Sequence, residues 1–521
     1  MSIDWLLIHS PALIIAVPLF AAFAMPLIKK LGNKTRNGVA LATVLLIEIL
    51  VIMLAKDVFA SGARSYVFGA EPGLTLPSGY IVPIRILFHV DGMSAFMAII
   101  SATIALVAVI YSLKFMEKET ALDRYYLLLL LMMVGMFGME FTADLFNMFV
   151  FLEVLSIASC GLVAYRIHLA DAPEGALKFM VISSIGALMV LLATGFLYGQ
   201  YDALNIAQLA KELQFNFIDK IALVLLLGAF AMKCGSFPMH QWVPDTYSVA
   251  PAPISILLVV STQVSLYALF RVVFTLYGIS SNVVVVGWYL IVLGLSTLFI
   301  GVTMAIPQKD IKRLISYLGV SQIGYMLIAV GVGFSLFANP VEFEIYGFRA
   351  IEGGIFQLIN DSMYMGLLFL VSGALYYRIG TRNLDSMGGL ARPMKVTSIC
   401  FLIGSLAIAG IPPFNGFASK FMIYETVYRF NPIISIVAML VSVLTLAAMV
   451  RAFSAAFMGP SLPEFKEVRE VPKSMILGMV ILASMVVFFG LFPSLIVDNL
   501  VEPAVRALIS RPSYIISLLG G

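Results

Sequence analysis

Residues 223–242 read LVLLLGAFAMKCGSFPMHQW, and residues 402–425 read LIGSLAIAGIPPFNGFASKFMIYE. Both stretches are apolar enough to cross a bilayer, yet each holds one lysine, Lys233 or Lys420, beside a proline or glycine that interrupts a helix. A lone charge at mid-bilayer costs about 2.5–3.5 kcal/mol on insertion scales, so it is normally kept because it faces a partner or a water-filled path. An interrupted helix is tolerated only where protein or water satisfies the freed backbone groups. Two such sites in one chain predict a repeated ion-handling device.

The composition around these stretches is that of a polytopic, all-α membrane protein. Of the 521 residues, 61% are hydrophobic and 12% are charged, whereas a soluble domain carries about 25% charge. Apolar stretches of about 20 residues predict about fourteen transmembrane helices. The predicted spans lie near 5–27, 37–55, 92–113, 122–140, 144–165, 175–198, 217–238, 251–277, 283–306, 313–334, 354–377, 396–428, 433–457 and 474–497.

The order of these spans predicts two inverted repeats. Helices four to eight and nine to thirteen can be paired, and the broken seventh and twelfth helices each carry a lysine. Five helices is an odd number, so consecutive units insert in opposite senses, which is an inverted-topology repeat. The chain is then divided into helices one to three (1–118, with an extramembrane hairpin or loop at 57–88), the first repeat (119–277), the second repeat (278–457) and a polar connector with helix fourteen (458–521).

The distribution of Lys and Arg among the connections predicts the orientation. It places the N-terminus outside, and an even number of helices then places the C-terminus outside too. The first apolar stretch has no basic n-region and no A-x-A site, so we expect a retained span. The net charge of +3 gives no indication of nucleic-acid binding. We therefore expect a multi-pass protein of a prokaryotic plasma membrane.

Glu153 lies near the middle of the fifth span, among apolar neighbours. One interpretation is a carboxylate that exchanges a proton and pairs with Lys233, and the other is a fixed ion pair that only holds helices together. The first is favoured because a static buried pair can be replaced by apolar packing at little cost. Burial destabilises the charged form of Lys233, which allows it to release and regain a proton. Its stem can alternatively reach the interface.

Lys420 follows Pro412, Pro413 and Gly416. The double proline interrupts the twelfth helix, and we expect water to satisfy the carbonyls that it frees. Lys420 is then a terminal proton station, or else an interfacial anchor if the span is shorter.

Three further polar residues lie within spans: Asp361 and Gln357 in the eleventh, and Gln263 in the eighth. Gln263 can hydrogen-bond water but carries no charge. Cross-helix hydrogen bonding is the simpler interpretation for the two glutamines, while Asp361 fits that role and a relay role equally.

Other charges are interpreted as structural. Glu140 and Asp144 fit a short connection between helices four and five, and Asp310 is predicted to cap helix ten, with Lys312 and Arg313 as membrane-anchoring charges.

No cofactor site is predicted in this chain. The three cysteines form no C-x-x-C pair, the four histidines share no ligand spacing, and there is no GxGxxG or P-loop pattern.

Four stretches carry a resemblance to a known family: ADLFNMFVFLEVLSIAS (143–159), FAMKCGSFPMHQWVPDTYSVAPAPISILL (230–258), PQKDIKRLISYLGVSQIGYMLIAVG (307–331) and GIPPFNGFASKF (410–421). Taken in order, they resemble the antiporter-like subunits of proton-pumping NADH:quinone oxidoreductase, with relatives in Mrp-type sodium/proton antiporters and archaeal membrane-bound hydrogenases. The likeness is closest to the Mrp D-type and hydrogenase-type members and covers about residues 90–457.

The resemblance implies a fourteen-helix core with two inverted five-helix repeats and a hydrated polar axis at the bilayer midplane. Glu153 matches the glutamate of helix five, Lys233 the lysine of helix seven that pairs with it, and Lys420 the lysine of helix twelve near the exit. It also implies H⁺ or Na⁺ as the ion and other membrane subunits as partners. Through them it implies a peripheral redox arm, with Fe–S clusters, flavin or Ni–Fe only in partner subunits.

The chain departs from the family pattern in the middle of this axis. Gln263, in TQVSLYAL (262–269), stands where members usually have a lysine of helix eight. Gln357, Asp361 and Met365 stand in the part of helix eleven where many members have histidines and a lysine.

Three functions are consistent with these residues. The first is an ion-translocating subunit of a multi-subunit respiratory-type redox complex, in which protons move along a hydrated chain of buried Glu and Lys. The second is a transport-impaired structural or coupling subunit of such a complex, favoured by the altered middle. The third is a stand-alone secondary transporter for an organic solute, which broken helices also suit.

Overall fold

The computed structural model describes residues 3–68, 86–280, 282–460, 463–465 and 467–519. Within them, 12 helices are long and apolar enough to cross a membrane, which confirms the all-α polytopic class. The seventh and twelfth predicted spans are not in this group, because an interruption ends the helix of the seventh at Lys233 after 17 residues and divides the twelfth into two shorter helices. The total of fourteen helices and the inverted repeats stay predictions.

The N-terminal part consists of three long helices and a strand pair. Its elements are α1 (Ile3–Ile28), α2 (Asn33–Ser61), β1 (Arg64–Phe68), β2 (Ile86–Val90) and α3 (Gly92–Phe115). The strands are antiparallel, with Arg64 opposite Val90. They occupy most of the described part of the predicted hairpin or loop at 57–88, while its residues 69–85 lie outside the described residues.

The next part contains the first interrupted helix, α8 and α9, and begins with two helices linked by a short connection. The helices are α4 (Leu122–Phe141), α5 (Leu145–Val163), α6 (Asp171–Tyr201), α7 (Ile206–Glu212), α8 (Phe217–Lys233), α9 (Trp242–Val249) and α10 (Ala252–Phe270). A π-helical turn, Arg271–Tyr277, extends α10.

The third part contains the second interrupted helix, α15 and α16, and the last part packs short helices against α3. Their helices are α11 (Val283–Ala305), α12 (Ile311–Ser335), α13 (Pro340–Glu342), α14 (Phe348–Ile379), α15 (Lys395–Ala409), α16 (Asn415–Phe430), α17 (Pro432–Phe453), α18 (Lys473–Leu491), α19 (Pro493–Ile496), α20 (Glu502–Ile509) and α21 (Arg511–Leu519).

The centre of the bundle is formed by α10, α12 and α14. Every residue of α10 is buried, and α14 is buried without interruption from Ala350 to Leu375. These two helices therefore face protein on all sides, so their polar side chains must find partners inside the bundle.

Helices α11 and α12 approach closely through glycines. A Cβ added at Gly294 would lie 2.8 Å from the carbonyl oxygen of Gly324, and one added at Gly324 would lie 2.6 Å from that of Gly294. Small residues allow such backbone contact between membrane helices. A larger residue at either position would push α11 away from the central helix α12.

The described ends of the chain, in α1 and α21, lie at one face of the bundle, beside the strand pair. His9 hydrogen-bonds the hydroxyl of Tyr66 at 3.1 Å, and the ring of Tyr514 lies 4.9 Å from that of His89. Burial lowers the pKa of His89 to about 4, so this ring is neutral at pH 7. The placement of both termini outside the membrane stays a prediction.

A buried ion pair joins this face to the centre. Arg271 donates to the carboxylate of Asp91, and their side chains are 5% and 7% exposed. Asp91 also caps α3, accepting from the backbone N–H of Ser94 at 3.0 Å.

We expect Asp91→Ala to lower stability by about 3–5 kcal/mol, because it leaves the guanidinium buried and unpaired. The measurement is the midpoint temperature of thermal unfolding of the purified protein. Asp57→Ala is the matched control, since it breaks the more exposed pair with Arg64 (2.6 Å) on the same face, where about 1 kcal/mol or less is expected. Equal unfolding temperatures for Asp91→Ala and Asp57→Ala would contradict a stabilising role of the buried Asp91–Arg271 pair.

Candidate functional site

The first interruption places Lys233 at the last residue of α8. Gly235 follows with φ +78°, a left-handed conformation that glycine adopts without strain. The carbonyls freed by the break are bound by side chains: Ser236 donates to Ala231 O at 2.7 Å, and the indole of Trp242 to Met232 O at 3.2 Å. The chain then resumes as α9, and Lys233 is left facing the neighbouring helices.

Two serines hold the ammonium group of Lys233. Its Nζ donates to Ser156 of α5 and to Ser183 of α6, both at 2.7 Å, and the two hydroxyls are 3.0 Å apart. The residue is 6% exposed. Because a hydroxyl both donates and accepts, this pair satisfies an ammonium or a neutral amine.

Glu153 lies three residues before Ser156 on α5, which places both on the same face of the helix. It is half-buried and lies within electrostatic range of Lys233. In the described part of the chain the two residues form no ion pair, and the ammonium donates to the two serines instead. The predicted pairing stays a prediction. We call Glu153, Ser156, Ser183 and Lys233 the lysine–serine cluster.

The second interruption surrounds Lys420, which is 1% exposed. Its Nζ donates to Ile408 O at 2.6 Å, and it lies 4.4 Å from the ring centre of Tyr325. Ser442 donates to Ala409 O at 3.0 Å. The expectation that water satisfies these freed carbonyls was wrong, because the lysine and serine side chains reach them directly.

Gln263 and Asp361 contact each other at the centre of the bundle. Gln263 Nε2 donates to Asp361 Oδ2 at 2.9 Å, and Ser362 donates to Gln263 Oε1. The other oxygen of Asp361 has no hydrogen-bond partner among the described residues. Met365, one turn further along α14, is fully buried. Gln263 and Asp361 therefore form a hydrogen-bonded amide–carboxylate pair in which Asp361 Oδ1 accepts from no described residue.

A second set of contacts connects Asp361 toward Lys420. Gln357, one turn before Asp361 on α14, donates to the hydroxyl of Tyr364 at 2.6 Å and to Gln322 at 3.2 Å. Ser419, the residue before Lys420, donates to Gln357 Oε1 at 2.6 Å. We call Gln263, Asp361, Gln357, Ser419 and Lys420 the central cluster.

The two clusters are separate in the described residues. Between them, Tyr247 of α9 donates to Leu258 O at 2.7 Å and lies 3.2 Å from the hydroxyl of Thr262, next to Gln263. No direct hydrogen bond joins Lys233 to Gln263 within the described ranges. Transfer between the clusters therefore needs water or a movement of side chains.

Two interpretations of charged residues need correction. Glu140 lies not in a connection but in the last turn of α4, fully buried; Ser101 donates to one oxygen, and the other has no partner in the described structure. Lys312 is not an anchor: it is 5% exposed and donates to Ala250 O. Asp310 does cap α12, accepting from Lys312 N at 2.8 Å.

Sequence reasoning also missed the side chains that bond Lys233 and Gln357. Ser156, Ser183, Ser419 and Tyr364 are small or ordinary polar residues in apolar helices, and only the geometry shows where they point. Among the described residues, no group of three His, Cys, Asp or Glu side chains is arranged to hold a metal ion.

A family profile described as "NADH:quinone oxidoreductase/Mrp antiporter, TM" matches residues 142–445. A second, described as "NADH-Ubiquinone oxidoreductase (complex I), chain 5 N-terminus", matches residues 77–126. The first match includes both interruptions and both clusters.

Two curated relatives are similar over nearly the whole chain. An Na(+)/H(+) antiporter subunit of Alkalihalophilus pseudofirmus is 31% identical over 515 residues, which is 94% of this chain and 62% of the relative. The NADH-quinone oxidoreductase subunit N of Desulforudis audaxviator is 29% identical over 522 residues, which is 95% of this chain and 98% of the relative. The chain thus spans less than two thirds of the first and almost all of the second.

Solved structures have the same fold. A chain of the archaeal membrane-bound sulfane sulfur reductase superposes with a TM-score of 0.84 at 25% identity, covering 98% of this chain and 99% of that one. A chain of the Mrp complex from Dietzia sp. gives 0.85 at 23% identity, covering 99% of this chain and 100% of that one. The second likeness, at this low identity, concerns the fold alone.

Proposed function

This chain belongs to the NADH:quinone oxidoreductase/Mrp antiporter family of membrane subunits, and we propose that it translocates ions within a multi-subunit complex. The ion is H⁺ or Na⁺, and the path runs from Glu153 and Lys233 through Gln263, Asp361 and Gln357 to Lys420. The observation that carries this proposal is two buried lysines at two helix interruptions, with a buried acid between them.

The surroundings of each group support distinct roles. The two serines beside Lys233 accept from an ammonium and donate to a neutral amine, so either state is satisfied. The Ile408 carbonyl and the Tyr325 ring favour a cation at Lys420. Asp361, with one oxygen free, accepts a proton without first breaking a hydrogen bond to that oxygen. Three buried groups along this pathway therefore hold a proton in turn: Lys233, Asp361 and Lys420.

Glu153 controls the first station in this scheme. A unit charge pair at 4 Å is worth about 4 kcal/mol at an effective dielectric of 20, which corresponds to roughly three powers of ten in proton affinity. When Glu153 is charged, Lys233 keeps its proton. When Glu153 is neutralised or moves away, the proton passes through water toward Asp361 and then Lys420.

We propose that the partners are other membrane subunits and, through them, a peripheral redox arm that holds any Fe–S, flavin or Ni–Fe cofactor. The complex is proposed to lie in a prokaryotic plasma membrane with both termini of this chain outside. The solved structures with this fold are parts of multi-subunit assemblies, which supports partners of this kind.

A second candidate is a coupling subunit that no longer transports ions. It is favoured by the direct Gln263–Asp361 hydrogen bond, which fixes an uncharged amide where relatives of this family usually have a lysine. Such a subunit would pass conformational change between its neighbours without moving a proton itself.

The test is Glu153→Ala in the complete complex, purified and reconstituted in liposomes with an imposed membrane potential. We expect the proton flux, followed with an enclosed pH dye, to fall at least tenfold, because removing the Glu153 charge takes away up to about 4 kcal/mol of stabilisation of the Lys233 ammonium. Assembly should persist, since Glu153 is half-buried and forms no hydrogen bond or ion pair in the described structure. Glu117→Ala, which removes a 57% exposed acid, is the control. Unchanged flux in a fully assembled Glu153→Ala complex would favour the coupling role.

A further inference from the structure

A cavity of about 470 Å³ opens beside the helix that carries Lys420. Its walls are the start of α14, one face of α16 and the segment 493–502 that follows α18. This segment leads directly into α20, where a Cβ added at Gly92 of α3 would lie 2.7 Å from the carbonyl oxygen of Pro503. The cavity therefore opens at the face where both chain ends lie.

Glu352 lines this cavity without a partner. It is 9% exposed and forms no hydrogen bond or ion pair with any described residue. The arginines nearby are engaged elsewhere: Arg349 pairs with Glu425 at 3.7 Å, and Arg506 pairs with Glu502 at 2.6 Å. A buried carboxylate is normally paired or hydrogen-bonded. The absence of a described partner for Glu352 therefore indicates that its carboxyl group is hydrogen-bonded to water or is protonated.

The cavity is also acidic. Asp498 and Glu502 line it together with Glu352, and Arg349 is the cation in its lining. Asp498, like Glu352, has no ion-pair partner in the described chain. An acid-lined concave surface raises the local concentration of cations, including hydronium.

The cavity is lined by α14 and α16, the two helices that carry Gln357, Ser419 and Lys420 of the central cluster. Glu352 precedes Gln357 by five residues on α14, which is about 7.5 Å along a helix axis. Ala418 and Phe421 of α16 line the cavity on either side of Ser419 and Lys420. Only about one and a half helical turns therefore separate Glu352 from the hydrogen-bonded Gln357–Ser419 pair.

We propose that this cavity is the aqueous mouth of the ion pathway and that Glu352 exchanges protons with the solution there. The proposal rests on the proton-translocating function above. In the outward step, the Lys420 ammonium gives a proton through intervening water to the Glu352 carboxylate, leaving a neutral amine and a carboxylic acid. The acid then releases the proton to water in the cavity, which restores the carboxylate. The inward step reverses both transfers.

The first test is Glu352→Gln in the reconstituted complex, with proton and Na⁺ flux measured separately. The amide keeps the size of the side chain but cannot carry a proton, so we expect proton flux to fall at least tenfold. Glu352→Asp keeps the carboxyl and should retain most of the flux. Glu344→Gln is the matched control, because Glu344 is an exposed acid eight residues earlier that does not line the cavity.

The outcomes separate this inference from the function on which it rests. If Glu352→Gln has normal proton flux and Lys233→Met has none, the cavity is not the entrance of the pathway, but the subunit still translocates protons. Normal flux in both would overturn the function itself. Loss of Na⁺ flux alone in Glu352→Gln would also overturn the assignment of Glu352 to protons.

A labelling test keeps Glu352 native and does not depend on the folding of an altered glutamate. Ser494, which lines the cavity, is changed to cysteine in a Cys160→Ala background, since Cys234 and Cys400 are buried. We expect a cationic methanethiosulfonate to react several-fold faster than an anionic one. Adding Glu352→Gln should reduce that preference. Equal rates for the two reagents, or no reaction, would contradict an acidic, water-filled mouth.

Discussion

Changing Lys233 to methionine is expected to reduce proton translocation at least about a hundredfold while the complex stays assembled. Methionine keeps an unbranched apolar side chain to pack against Gly186, whose added Cβ would lie 3.2 Å from Lys233 Cγ. The two serines that bind the ammonium are 3.0 Å apart and satisfy each other when it is lost. The local fold therefore survives, and what is removed is the proton-carrying amine.

Lys233→Arg separates proton exchange from a fixed positive charge. A guanidinium stays protonated at any usable pH, whereas a buried lysine is able to deprotonate. If Lys233 releases its proton in each cycle, the arginine variant should be nearly as inactive as the methionine variant. The measurement is the initial rate of the enclosed pH dye in liposomes of matched protein content. Wild-type rates in the arginine variant would show that only a static charge is needed.

The second large effect is expected for Asp361→Asn, with proton flux falling at least tenfold. Asparagine has the shape of aspartate and still presents an oxygen to Gln263 Nε2, which now lies at 2.9 Å from the carboxylate. The substitution removes the titratable group at the centre of the path but keeps its hydrogen bond. The readout is the same flux assay, with subunit content checked by gel. Asp385→Asn is the control, because this acid is 59% exposed and pairs with Lys309.

This variant also distinguishes the two candidate functions. If the subunit transports protons, Asp361 replaces the positive group usually found in the middle of the path, and its loss interrupts transfer. If the subunit only couples its neighbours, Asp361→Asn leaves the flux of the whole complex unchanged. Gln263→Lys should then also leave it unchanged, whereas a gain of flux would indicate a path limited at residue 263.

The positions of the helices were predictable because lipid imposes a minimum apolar length and forbids exposed backbone. Pro238 and the Pro412–Pro413 pair identified both interruptions, since a proline inside an apolar span breaks the helix and frees backbone groups that protein or water must satisfy. The cap at Asp310 followed from a short polar side chain before a helix. These features depend on local sequence, and the structure agrees with them.

The contacts of the site were not predictable, because they join helices that are distant in sequence. Ser183 reaches Lys233 across 50 residues, and Ser362 reaches Gln263 across 99. Glu140 was misassigned because a single residue, Phe141, separates it from the short connection, although its apolar neighbours on α4 were a usable signal. A serine within an apolar helix gives no indication of the face on which it lies.

In the proposed pathway, water connects the lysine–serine cluster to the central cluster, since no direct hydrogen bond joins them in the described residues. A high-resolution density map of the complex in lipid nanodiscs tests this most directly. We predict ordered water between Lys233 and Asp361, passing Tyr247 and Thr262, and further water from Lys420 to Glu352. Dry apolar packing between Lys233 and Asp361 in every state of the working complex would contradict the account.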